Sequence, residues 1–132
     1  MMFHKIGAVI LLVSDMKRST KFYRDSLGMK LKQQSKGWTE FSEGGTVLAL
    51  HPASRKKIKK NKSMLVGFSV SDFDDVINGL KKKKVKFYKK PKEESFGKHT
   101  IIQDPDGHLI SIVQMPQEEL SQIPYYHGFA PA

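Results

Sequence analysis

The stretch that most constrains the fold runs from residue 100 to residue 113, where two apolar segments flank the turn sequence Asp104-Pro105-Asp106-Gly107. Both segments are rich in β-branched side chains, which favour strands. Pro105 presets its own φ for a turn and Gly107 tolerates positive φ, so the pattern predicts an antiparallel hairpin. Alternation along the second strand divides its side chains between two faces. These sets are Leu109, Ser111 and Val113 on one face, and Ile110 and Ile112 on the other.

A second motif joins this hairpin to a known family. Residues 13–29 read Val-Ser-Asp-Met-Lys-Arg-Ser-Thr-Lys-Phe-Tyr-Arg-Asp-Ser-Leu-Gly-Met, a strand end followed by a helix. Together with Asp-Pro-Asp-Gly, this stretch resembles the opening and closing signatures of the glyoxalase/bleomycin-resistance/extradiol dioxygenase (vicinal oxygen chelate, VOC) superfamily. The resemblance covers residues 5–115.

The predicted elements follow the order strand, helix and three strands, twice. The first set has strands at residues 7–13, 31–34, 38–42 and 46–50, and a helix that Ser14 or Asp15 caps and Gly28 ends. The second set has a strand at residues 64–70, a helix capped by Ser71, a strand at 86–89, a polar loop over 91–97 and the closing hairpin. Val13-Ser14-Asp15 and Val70-Ser71-Asp72 are the matching junctions, which indicates an internal duplication.

The fold class predicted is α+β, with two βαβββ modules forming a curved mixed sheet around a cleft, as in the glyoxalase/bleomycin-resistance/dioxygenase-like fold. Residues 1–115 would be a single VOC-like domain with modules at about 5–52 and 63–115, joined by a basic linker at 52–63. Residues 116–132 would form a C-terminal extension.

Composition limits the classes of function. The chain has no cysteine, so thiolate metal sites and thiol nucleophiles are excluded. The apolar run at residues 6–13 is too short to span a bilayer, and we expect a cytoplasmic protein with no membrane partner. The net charge of +10 is concentrated in lysine clusters at residues 55–62 and 81–92, which we predict to be solvated surfaces. Binding of nucleic acid through these clusters is the alternative.

The resemblance also implies where a metal would be held. Metal-dependent members of the family place His, Gln or Glu ligands on the first and fourth strands of each module. The matching positions here, called the four ligand-equivalent positions below, are Ala8, Ala49, Leu65 and Ser111. None of these side chains is a suitable ligand for Zn²⁺, Ni²⁺, Mn²⁺ or Fe²⁺. We therefore expect no metal and no other cofactor. The alternative is a divalent metal held by His51 and His99.

Other residues are candidates for lining the cleft. Trp38 and Phe41, on the predicted third strand, could form its walls. Arg55 or Lys98 could neutralise an anionic ligand there. His51, His99 and Ser111 complete the set of candidates. No serine has histidine and carboxylate partners at an interpretable spacing, so the sequence identifies no catalytic residue.

The function predicted is the binding of a small, neutral or anionic organic molecule in the cleft without the usual metal, by a homodimer. A positive net charge of this size favours such a ligand over a cationic one. Whether the chain is an enzyme stays open at this point. One alternative is a metal-dependent, glyoxalase- or dioxygenase-like lyase, isomerase or oxygenase with non-standard ligands. The other is a basic nucleic-acid-binding or regulatory protein.

Overall fold

The computed structural model describes residues 6–58, 64–95 and 97–114. The predicted C-terminal extension at 116–132 and part of the predicted linker lie outside these residues. The chain divides into two compact units, Met1–Lys60 and Asn61–Ala132. No helix among the described residues is long and apolar enough to cross a membrane.

The first unit is a four-stranded mixed sheet with one helical segment. Its elements are β1 (Ala8–Val13), α1 (Met16–Lys21), a π-helical turn (Phe22–Ser26), β2 (Leu31–Gln34), β3 (Thr39–Phe41) and β4 (Val47–Pro52). The strand order is β1-β4-β3-β2, with β1 and β4 parallel and the other pairs antiparallel. Gly28 follows the helical segment with φ of 71°. Since glycine has no Cβ to clash at positive φ, it ends this segment as predicted.

The core of the first unit lies on the side of the sheet that faces α1. Phe41 and Leu48 are cross-strand partners on β3 and β4, and both are buried. The Phe41 ring lies 6.1 Å from the ring of Tyr23, between centroids, and Tyr23 is fully buried. Because side chains alternate along a strand, the opposite face carries Glu40 of β3 and Ala49 of β4.

The second unit repeats this architecture. Its elements are β5 (Leu65–Ser69), α2 (Phe73–Lys82), β6 (Lys86–Glu94), β7 (Gly97–Gln103) and β8 (Leu109–Gln114). The strand order is β5-β8-β7-β6. It repeats the order of the first unit, with β5, β6, β7 and β8 in the places of β1, β2, β3 and β4. The predicted α+β class and the two βαβββ modules are therefore confirmed. Phe73, Ile77 and Leu80 of α2 are buried at the helical spacing of four and three residues, which places them on one face of the helix.

The two junctions between strand and helix are capped alike. The Asp15 carboxylate accepts a hydrogen bond from the Arg18 backbone N–H (3.0 Å), and the Asp72 carboxylate accepts one from the Asp75 N–H (3.4 Å). The predicted cap at Ser71 is wrong, because the residue after it has the capping geometry and its carboxylate reaches the first helical turn. In addition, the Gln114 side chain accepts a hydrogen bond of 2.6 Å from the Phe73 N–H, which ties the start of α2 to the end of β8.

The hairpin at residues 104–107 is confirmed. One Asp104 carboxylate oxygen accepts hydrogen bonds from the backbone N–H groups of Asp106 (3.0 Å) and His108 (2.8 Å). Gly107 has φ of 89°, and its N–H donates to the Asp104 carbonyl at 3.0 Å. The turn is thus held by its own side chain, which explains why local sequence was sufficient to predict it.

The prediction of a polar loop over residues 91–97 is wrong for most of those residues, because 91–94 and 97 belong to strands. Strand β6 continues through Pro91 to Glu94, and β7 begins at Gly97. Pro91 is accommodated because β6 is the outermost strand of its sheet and its pairing with β7 shifts register between Lys89 and Lys92. A proline at an edge position removes no hydrogen bond from the sheet.

Candidate functional site

A buried polar pair lies on the second sheet. His99 of β7 and Ser111 of β8 are 8% and 2% exposed, and His99 Nε2 lies 2.9 Å from Ser111 Oγ. The register explains the contact: His99 is opposite Val113 and Ile101 is opposite Ser111, so the two polar side chains are diagonal neighbours on one face. The pair is therefore produced by the closing hairpin itself.

Burial determines the charge of this pair. Removing the imidazole from water lowers the pKa of His99, and Lys89 lowers it further while Glu94 opposes the change. His99 is consequently neutral near pH 7. A neutral imidazole and a hydroxyl can each donate and accept hydrogen bonds, so the pair can offer either a donor or an acceptor.

A second cluster lies on the first sheet, on the face opposite the core. The Trp38 indole Nε1–H donates a hydrogen bond of 2.9 Å to Glu40 Oε1. His51 Nδ1 lies 2.9 Å from the Gly37 carbonyl oxygen, and since a carbonyl only accepts, Nδ1 carries the proton. The Trp38 and His51 rings are 6.3 Å apart, between centroids, and tilted by 58°. The residue before β3, the middle of β3 and the end of β4 thus hold an indole, a carboxylate and an imidazole together.

Apolar side chains border this second cluster. Ile10 of β1 is the register partner of Ala49, which in turn is opposite Glu40. Leu12 is the register partner of His51. Ile10 and Leu12 are 52% and 38% exposed, although both are large and apolar. Exposure of such side chains beside fixed polar groups is typical of a binding surface.

The remaining candidates from the sequence lie elsewhere. Phe41 is fully buried on the core side of the first sheet. Lys98 Nζ forms an ion pair of 2.9 Å with Asp74, and this hydrogen bond raises the pKa of Lys98. Arg55 is exposed in the turn that follows β4. The structure therefore brings Trp38 together with His51, and His99 together with Ser111.

The donors needed for the family's metal are missing at the four ligand-equivalent positions. Ala8 and Ala49 share one face of the first sheet, and Leu65 and Ser111 share one face of the second. Three of these side chains have no donor atom, and the hydroxyl of the fourth is hydrogen-bonded to His99. Among the described residues there is also no group of three His, Cys, Asp or Glu side chains that could hold an ion. The residues present at these positions do not fit the metal.

Glu40 is the functional candidate that sequence reasoning missed. A signal was available, because Trp38 and Glu40 are two residues apart and so share a face of the predicted third strand. What the sequence did not supply was the register between β3 and β4, which brings this face to His51.

Three comparisons place the chain among known proteins. The family model of the Glyoxalase/Bleomycin resistance protein/Dioxygenase superfamily matches residues 5–112. The chain is 31% identical over 128 residues to the uncharacterized protein YraH of Bacillus subtilis, covering 84% of this chain and 98% of the relative. It is also 31% identical over 117 residues to the metallothiol transferase FosB of Staphylococcus haemolyticus, covering 84% of both chains.

Among solved structures, TnmS3, an antibiotic-binding protein from Streptomyces, is similar in fold. Its TM-score is 0.70 at 21% identity, covering 88% of this chain and 99% of TnmS3. A likeness at this level of identity concerns the fold alone. The family match, by contrast, extends over both sheets, including the closing hairpin with its Asp-Pro-Asp-Gly turn. This chain belongs to the Glyoxalase/Bleomycin resistance protein/Dioxygenase superfamily.

Proposed function

We propose that this protein binds a small, neutral or anionic organic molecule without the divalent metal that the family's metal-dependent members use. The observation that carries this proposal is the contact of 2.9 Å between Ser111 and His99. Ser111 stands where the resemblance implies a His, Gln or Glu ligand, and its hydroxyl is hydrogen-bonded to a neutral imidazole.

Solvation energetics support the metal-free part of the proposal. A divalent ion that enters a protein site loses water ligands and must receive oxygen or nitrogen donors in exchange. Ala8, Ala49 and Leu65 offer no lone pairs. One neutral hydroxyl does not replace a carboxylate, because it carries no charge to offset that of the ion. These side chains would therefore not replace the water ligands that an ion loses.

Two relatives support different parts of the proposal. TnmS3 is named for antibiotic binding, which favours a role as a small-molecule binder for a chain of the same fold. FosB is named as a metallothiol transferase, which favours a metal-dependent reaction instead. The donor chemistry of this chain supports the first role. The net charge of +10 favours neutral or anionic ligands, since a cation would be repelled on approach.

The resemblance supports two further proposals about organisation. We propose that residues 1–115 form one VOC-like domain that assembles as a homodimer, with 116–132 as an extension. Light scattering of the full chain and of a variant that ends at residue 115 would measure both masses. A monomeric full chain would contradict the homodimer, and a shortened variant that does not fold would contradict the domain boundary.

Metal analysis tests the central proposal. Protein purified without chelator should contain far less than one Zn, Ni, Mn or Fe ion per chain. Added Zn²⁺, Ni²⁺ or Mn²⁺ should leave the melting temperature unchanged, whereas a native-state ligand at 100 times its Kd would stabilise by about 2.7 kcal/mol. Protein treated with a chelator and dialysed is the matched control. A stoichiometric metal, above all one coordinated by His51 or His99, would overturn the proposal.

Ligand binding is tested by a thermal-shift screen of neutral, anionic and cationic aromatic molecules. We expect stabilisation by members of the first two classes and none by the third. A screen in which only cations stabilise would contradict the proposed ligand charge. A screen in which no class stabilises would contradict the binding function.

A further inference from the structure

The first sheet carries a surface that we call the Trp38 patch, made of Ile10, Leu12, Trp38, Glu40 and His51. Within it, the indole N–H occupies one oxygen of Glu40. The second oxygen, Oε2, has no hydrogen-bond partner in the part of the chain that the structure describes. Glu40 itself is half-buried. An acceptor held in place in this way, with one oxygen left over, is preorganised for a donor from outside the chain.

His51 is fixed in a complementary way. Its Nδ1–H donates to the Gly37 carbonyl, so in the neutral ring Nε2 is left as an acceptor. No hydrogen bond to Nε2 is found within the described residues, and the side chain is exposed. Glu40 and His51 therefore both offer acceptors on the same face of the sheet.

The rest of the patch is apolar. Trp38 is half-buried beside these acceptors, and its indole ring is held by the hydrogen bond to Glu40. Ile10 and Leu12 extend the apolar surface across β4 onto β1. A ligand that covers this surface would bury a planar or apolar body and would bring one polar group to the acceptors.

We infer that Glu40 is the specificity-determining residue of the Trp38 patch, which takes a flat apolar molecule carrying a neutral hydrogen-bond donor, such as a hydroxyl or amide N–H. This inference rests on the proposed function and narrows its ligand class. A carboxylate accepts hydrogen bonds and cannot donate them, so Glu40 disfavours a ligand that brings only a hydrogen-bond acceptor next to it. It also repels an anionic group placed beside it, so an anionic group of the ligand would lie elsewhere.

The test uses the only tryptophan of the chain as a reporter. In a ¹⁵N–¹H correlation spectrum, one indole N–H signal is expected, and it belongs to the hydrogen bond between Trp38 and Glu40. The probes are 2-naphthol, which has a donor, and 2-methoxynaphthalene, which has the same ring and only an acceptor. We expect 2-naphthol to shift the indole signal saturably and to bind at least about tenfold more tightly than the methyl ether.

The variant Glu40→Gln tests the residue. The glutamine carbonyl can still accept from the indole, while its NH₂ group replaces the free acceptor by a donor. We expect the preference for 2-naphthol to disappear and 2-methoxynaphthalene to bind more tightly than it does to the unmodified chain. A purely structural role for Glu40 would weaken both probes alike. Glu43→Gln is the matched control, because Glu43 is exposed in the turn before β4, and it should keep the preference.

Several outcomes would overturn the inference. They are equal binding of the two probes to the unmodified chain, saturation of both without any shift of the indole signal, no binding of either, or an unchanged preference in Glu40→Gln. The comparison in the unmodified chain is decisive even where the variant does not fold. Failure of the inference is distinguishable from failure of the proposed function, because the metal analysis and the ligand screen do not depend on Glu40.

Discussion

The buried pair of His99 and Ser111 gives the sharpest prediction for stability. The change Ser111→Ala removes one hydroxyl and keeps the strand backbone. It removes the hydroxyl that lies 2.9 Å from His99 Nε2, at a site where His99 is only 8% exposed. We therefore expect the variant to fold and to be less stable than the unmodified chain.

The size of the loss follows from desolvation. Removing the hydroxyl partner of a buried polar group costs about 1–3 kcal/mol, more than the net value of an average hydrogen bond. The methyl group of alanine is smaller than the lost side chain, so it creates little strain. We expect a loss of about 2 kcal/mol, which for a chain of this length lowers the melting temperature by roughly 8 °C.

The assay is urea unfolding at pH 7.5, read by circular dichroism, with Ser69→Ala as the control. Ser69 is an exposed serine on the neighbouring strand β5, and its register partner Val113 is on the same face as Ser111. The control should change stability by less than about 0.5 kcal/mol. In a double-mutant cycle with His99→Leu, the two changes should show a coupling of at least about 0.5 kcal/mol.

Two results would refute this reasoning. One is a Ser111→Ala variant as stable as the Ser69→Ala control. The other is strict additivity of Ser111→Ala and His99→Leu. Either result would mean that the contact of 2.9 Å does not satisfy the imidazole in solution.

Three further predictions concern charge and metal. Burial lowers the pKa of His99 below its ordinary 6.5, so the unfolded chain binds more protons than the folded chain as the pH falls through that value. The free energy of unfolding should therefore be at its full value above about pH 6.5 and should fall below that pH. The variant His99→Gln should flatten this dependence in urea unfolding measured between about pH 7.5 and pH 5. Replacing the exposed Lys56, Lys57, Lys86 and Lys90 by Glu should lower the free energy of unfolding by under about 0.5 kcal/mol for each residue. Ligand-induced thermal shifts should stay unchanged. Loss of those shifts would show that a lysine cluster belongs to the ligand site. Donors placed at Leu65 and Ser111, which share one face of the second sheet, should create affinity for Zn²⁺ or Ni²⁺, measured by calorimetry, and a variant that folds but binds neither ion would contradict the assignment of these two positions. The substitutions are Leu65→His and Ser111→Glu, beside His99.

Much of the fold could be predicted because its signals are local. The turn at residues 104–107 holds itself together through the Asp104 side chain, and Gly28 ends its helical segment through its own φ. Alternation assigned Ser111 to a face without any knowledge of a partner strand. The repeat of Val-Ser-Asp predicted two equivalent modules, and both units have the same strand order.

The errors came where a partner strand outweighs local composition. Polar residues around Pro91 indicated a loop, yet backbone pairing with β7 extends β6 to Glu94. An exposed edge strand can be polar and contain proline, so its sequence is similar to that of a loop. Likewise, Ser71 and Asp72 are both good capping residues, and only the backbone geometry at Asp72 distinguishes them.

The sequence by itself determined the modules and the closing hairpin, because each depends on residue identity and short-range order. Tertiary structure alone decided that Trp38 and Glu40 lie beside His51, because that arrangement depends on the register between β3 and β4. The charge of His99 was also decided at this level, because burial, and not residue type, lowers its pKa.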